Sequence, residues 1–71
     1  MLTIANVLRR METISAHAAK GDYDAAHNEE DRLHRDALAT IATGRLNREE
    51  ATTLADEAFK STRIQFSRKT A

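Results

Sequence analysis

Apolar residues recur at helical spacing from the start of the chain. Wound at about 100° per residue, Ile4, Val7, Leu8, Met11, Ile14, Ser15 and Ala18 share one side, with Arg9, Arg10 and Glu12 outside it. A second stripe is drawn by Tyr23, Ala26, Leu33, Ala37 and Ile41, and a third by Ala51, Leu54, Ala55, Ala58 and Phe59. The punctuation agrees with the pattern. Proline is absent, and the two glycines, Gly21 and Gly44, each follow a stripe where a left-handed residue ends a helix. Asp22 and Asn47 stand where N-caps belong, with Glu49 and Glu50 in the first turn that Asn47 opens. These signals predict an all-α domain, a small three-helix bundle built as an αα-hairpin plus a third helix. Its helices span about residues 3–20, 23–43 and 48–60, and a short extended tail covers 61–71.

The second stripe is interrupted by polar residues. In His27-Asn28-Glu29-Glu30-Asp31-Arg32-Leu33-His34, Glu30 falls near the middle of the apolar arc, with His27 and His34 one turn to either side along its flank. A lone carboxylate there would cost several kcal/mol, so it must be paired, metal-bound, protonated or placed at an interface. The favoured arrangement is a His27–Glu30–His34 hydrogen-bond network closed at one end by Tyr23. The other is an interface, because polar groups in helix seams specify register and oligomeric state. Histidine titrates near neutrality, so either arrangement predicts mild pH sensitivity between about 5 and 7.

The last residues break the helical pattern. Ile64-Gln65-Phe66-Ser67 alternates apolar and polar, as an extended segment does, and no acid occurs from Lys60 onward. Ile64 and Phe66 are expected to dock on the bundle or on a partner. Arg63, Arg68 and Lys69 are then either solvated ends of a docked tail or parts of a binding arm.

Composition narrows the functional classes. Seventy-one residues make one domain, able to bury only about 60% of its unfolded surface. With no cysteine there is no disulfide, thiolate or cysteine zinc site. A cytoplasmic setting fits that composition, and self-association would help so small a core. Eleven cations balance eleven acids, whereas nucleic-acid binders usually carry a basic excess. Neither a signal peptide nor a run of about 18 apolar residues is present, so no membrane role is expected.

Metal chemistry has one foothold. Asp24-Ala25-Ala26-His27 and Asp31-Arg32-Leu33-His34 repeat an acid-x-x-histidine unit, the i, i+3 spacing of carboxylate-bridged di-metal bundles. Such sites need further carboxylates from facing helices, and Glu12, His17, Asp56 and Glu57 lie off the inward stripes. His27 and His34 are also about 10 Å apart along the axis, too far to bind one ion together. No metal or cofactor is therefore assigned. Ser15, Ser61 and Ser67 lack a glycine elbow or a neighbouring base, and no phosphate loop exists, so the chain reads as no enzyme. A nucleic-acid reading rests on Arg45 and Arg48 near the start of the third helix and on the basic tail; Glu49 and Glu50 at the same end oppose it.

Two resemblances add to this. The turn Ala18-Ala19-Lys20-Gly21-Asp22-Tyr23-Asp24-Ala25-Ala26 is similar to the hairpin turn of a tetratricopeptide repeat, which implies two helices reversing tightly at Gly21; no second copy follows. The strings Gly21 to His27, Glu30-Asp31-Arg32-Leu33, Ala39 to Gly44 and Ile64-Gln65-Phe66-Ser67-Arg68 together resemble small helical proteins of phages, prophages and plasmids. Those proteins share an A-H-x-x-E-D-x-L core and an I-x-F-x-R tail. In them an aromatic residue usually follows the arginine, where this chain has Lys69-Thr70-Ala71. The resemblance implies a mobile-element accessory protein that binds and blocks a host component.

The resulting expectation is a non-enzymatic binding or inhibitory protein acting through a helical surface on a protein partner, with a homodimer as a further form. Its candidate interaction residues are Tyr23, His27, Glu30, Asp31, His34, Phe66 and Arg68. A small nucleic-acid-binding regulator is the alternative.

Overall fold

A computed structural model of the chain describes residues 1–68. The first helix, α1 (Ile4–Ala19), starts at a reciprocal cap. The Asn6 N–H donates to Thr3 Oγ1 at 3.1 Å, and the Thr3 N–H donates to Asn6 Oδ1 at 3.2 Å. Two of the amides that a helix start leaves without partners are thereby satisfied. The helix ends at Gly21, whose φ of 77° is the left-handed conformation. The Gly21 N–H donates to the Ala18 carbonyl and the Asp22 N–H to the His17 carbonyl, each at 3.0 Å. This paired closure reverses the chain in two residues. Asp22 then caps α2 (Tyr23–Ala42) by accepting from the Ala25 N–H.

Gly44, at φ 73°, is also left-handed at the end of α2, but there Thr43 takes the place of the second backbone bond: its hydroxyl donates to the Thr40 carbonyl at 2.7 Å and accepts from the Arg45 N–H. Asn47 opens α3 (Arg48–Phe59) with a second reciprocal cap, in which the Asn47 N–H donates to the Glu50 carboxylate. The three helices therefore form where the sequence predicts, within a residue or so at each end. The chain from Lys60 differs. Lys60–Arg63 winds as a 3₁₀ turn, so the first residues assigned to an extended tail continue the helical path. The Thr62 hydroxyl donates to the Phe59 carbonyl and the Ile64 N–H to the Ser61 carbonyl, which uses acceptors that the end of α3 would otherwise leave open. Extended backbone begins at Ile64.

The core is narrow. Val7 and Ile14 of α1, Ala26, Leu33 and Ala37 of α2, and Leu54 and Ala58 of α3 make it, with Leu2, Met11, Ile41, Leu46, Ile64 and Phe66 packed around it. Three alanines in that set let the helix axes approach closely. Arg10 of α1 clips onto Asp36 of α2 at 2.7 Å, and the Leu2 N–H donates to the buried Thr40 hydroxyl. Not every apolar stripe residue is inside. Leu8 is half exposed, and Phe59, assigned to the inward face of α3, is 68% exposed. Phe59 is one position past buried Ala58, a rotation of about 100° that carries it out of the seam.

Candidate functional site

Glu30 is where the pattern puts it, inside the bundle, with its side chain 5% exposed. Its partner comes from the other end of the sequence. Arg68 donates Nε to Oε1 at 2.8 Å and Nη2 to Oε2 at 3.1 Å, the two-pronged geometry that suits guanidinium to carboxylate. The same guanidinium donates to the carbonyls of Ser61 at 3.0 Å and Ile64 at 2.9 Å, and sits 3.9 Å from the centroid of the Phe66 ring. Phe66 in turn stacks on Tyr23, with ring centroids 6.3 Å apart. Arg68 thus ties the tail to α2, to the 3₁₀ turn and to itself. It is not the solvated end of a docked tail.

The expected His27–Glu30–His34 network does not form. Glu30 makes no direct hydrogen bond to either histidine: His27 turns to Asp31, and His34 reaches Ser61 instead. His27 Nε2 lies 3.3 Å from Asp31, one turn on, and its Nδ1 is buried with no hydrogen-bond partner among the described residues. His34 Nε2 lies 2.7 Å from Ser61 Oγ and 3.3 Å from the Ala58 carbonyl. A carbonyl can only accept, so the proton belongs on Nε2 in this arrangement, and the serine oxygen accepts from it. Ser61 thus sits between His34 and the Glu30 carboxylate, whose far side Arg68 closes.

The charge on Glu30 follows from these contacts. Burial pushes its carboxyl up, but hydrogen bonds from Arg68 and Ser61, with the positive charge of Arg68 and the proximity of His34, outweigh it and leave the group below its ordinary value. Reciprocally, the hydrogen bond to Glu30 raises Arg68 against the effect of its own burial. The group is an ionised, fully partnered carboxylate, and it needs neither a metal nor a second chain to be tolerated.

Of the seven candidate residues, the structure gathers Tyr23, Glu30, His34, Phe66 and Arg68 into this clasp, and leaves His27 and Asp31 as a pair on its edge. Ser61, a serine without a catalytic setting in the sequence, is fully buried at its centre. The signal was present: Leu54, Ala58 and Ser61 continue one stripe at i, i+4, i+7. Among the described residues no three His, Asp or Glu side chains stand close enough to hold a metal ion, and no helix is long and apolar enough to cross a membrane. Lys69, grouped by sequence with the basic tail, lies outside the described residues.

A second feature lies on the same flank of α2, toward its C-terminal end. Between α2 and α3 runs a groove of about 300 Å³ lined by His34, Ala37, Leu38, Ile41, Ala55, Ala58 and Phe59. Leu38 and Phe59 are each 68% exposed at its margins. Sequence reading missed this because Phe59 was counted with the core, and Leu38, two positions past the last polar run, belongs to no stripe. No family model, no curated protein and no solved structure matches this chain.

Proposed function

We propose that the chain is a non-enzymatic protein-binding accessory protein of a mobile genetic element, which acts in the cytoplasm and inhibits a host protein by covering it with a helical surface. The observation that carries this reading is the pair of exposed side chains, Leu38 and Phe59, on either side of one apolar groove. Single exposed apolar residues are ordinary on any surface, but two that share a groove lined by alanines and isoleucine favour a partner that buries them. The accessory and inhibitory parts of the reading come from the resemblance to phage and plasmid proteins.

Binding to nucleic acid is the second reading. Arg45 and Arg48 are exposed and make no ion pair among the described residues. Against this, Glu49 and Glu50 share the first turn of α3 with Arg48 and cancel its charge at that helix end. Two measurements separate the readings. Affinity capture from a host lysate should recover one protein in stoichiometric amount, and a salt-titrated DNA shift assay should show no complex at low salt. A DNA complex that weakens steeply with salt, with no protein recovered, would reverse the order.

A further inference from the structure

The flank of α2 that faces α3 is covered along half of its length only. Over its N-terminal half the tail lies in place, with Phe66 against Tyr23 and Arg68 on Glu30. Over its C-terminal half, from His34 to Ile41, nothing among the described residues covers the groove, and Leu38 and Phe59 stand exposed beside it.

The charges around this open half are mainly positive. Arg48, Thr52, Ala55 and Phe59 follow one another at i, i+4, i+7 and i+11, so Arg48 continues the groove side of α3. Arg45 stands in the turn beside it, Arg35 is on α2 one turn before Leu38, and Arg63 is one turn beyond Phe59. All four are exposed, and none makes an ion pair among the described residues. Most of the nearby acids are engaged or turned elsewhere. Asp31 pairs with His27, and Glu57 pairs with Lys60. Glu50 lines the opposite side of α3, toward Leu2 and Ile4. Asp56, exposed and three positions before Phe59, is an acid on the outer margin of α3 beside the groove, but it does not line it.

An apolar trough with cations at both ends and no free acid within it matches a particular occupant. We infer that the α2/α3 groove seats an amphipathic helix of the partner, whose apolar face lies between Leu38 and Phe59 and whose flanks carry Asp or Glu toward Arg35, Arg45, Arg48 and Arg63. Helix-in-groove recognition uses such a row of apolar anchors, and complementary flanking charge sets its direction and partner choice. A second copy of this chain fits poorly, because a two-fold contact through this face would bring the same unpaired arginines together. Duplex nucleic acid fits poorly as well, because phosphates would leave Leu38 and Phe59 in water.

The inference rests on the protein-binding reading and is tested apart from it. Two helical peptides of about eighteen residues, with leucines at i, i+3, i+4 and i+7, are titrated into the isotopically labelled full chain and followed by amide chemical shifts. One carries glutamates on its flanks and the other lysines. The glutamate peptide should shift residues 34–41 and 55–59. It should bind at least about tenfold more tightly than the lysine peptide. Its affinity should fall about tenfold in Arg45→Glu/Arg48→Glu, and Leu38→Glu should abolish binding. Equal binding of the two peptides overturns the inference, as do shifts centred on Tyr23 and Phe66. So does a chain that dimerises through this face, or a duplex oligonucleotide that displaces the peptide. If a lysate partner is captured undiminished by Leu38→Glu, the groove assignment fails while the binding reading stands. If the glutamate peptide binds as described but no lysate protein is captured, the reading fails and the groove stands.

Discussion

At the scale of single residues, the polar interruption of α2 is answered from within the chain. Glu30 is nearly inaccessible and Arg68 is about a third exposed, so the two partners are not equivalent. Removing Arg68 strands a buried carboxylate. Arg68→Ala should therefore destabilise the fold by about 3 kcal/mol, the scale seen when one member of a buried pair is lost. Glu30→Gln should cost less, because Arg68 can turn to water and the neutral amide leaves no buried charge behind. Replacing both by apolar residues, Glu30→Leu with Arg68→Met, should recover most of the loss, and chemical denaturation of wild type, this double variant and its own two singles would show the non-additivity. A double variant as unstable as the sum of the singles would mean that the pair is not coupled. The pH dependence has a definite sign. Glu30 is held below its ordinary value in the folded chain, so its contribution is complete above the unfolded value and is lost as the pH falls through the folded one. Wild type and Glu30→Gln should differ in melting temperature at neutral pH and converge below about pH 4. A gap that persists at low pH would contradict an ionised Glu30.

At the scale of elements, the helices were legible because their ends are written in local chemistry. Asp22 and Asn47 cap as their residue types suggest, and Gly21 and Gly44 take the positive φ that ends α1 and α2. A methyl group at either glycine would meet no atom within 4 Å. The cost of Gly21→Ala or Gly44→Ala is therefore backbone strain alone, about 1 kcal/mol each and additive between the two turns. A larger or smaller loss in denaturation would point to contacts that the turns do not show. The tail was legible only in part. Its alternation announced an extended segment with a docked Phe66, but no local rule couples Arg68 to a glutamate 38 positions earlier. The same limit explains why His27, Glu30 and His34 were grouped. Sequence spacing shows which residues share a helix face, and the choice among partners on other helices is made by tertiary packing. The 3₁₀ turn from Lys60 was hidden for a related reason, because one of its carbonyls, that of Ser61, accepts from Arg68 outside the segment.

For the whole molecule, the division of the α2 flank is the organising fact. One half is closed by the chain's own tail, with an arginine reaching an acid. The other is open, apolar and bordered mainly by arginines that make no ion pair among the described residues. A core of seven buried apolar residues, of which four are alanines or valine, leaves little margin, so the clasp and the helix caps matter more here than in a larger domain. The central claim is that binding takes place on the open half while the clasp stays shut. Amide hydrogen exchange on the free chain and on the chain bound to its captured partner tests this most directly. The account predicts added protection concentrated in residues 34–41 and 55–59, with exchange in 64–68 unchanged. Protection centred on Tyr23 and the tail, or faster exchange of the tail on binding, would contradict it.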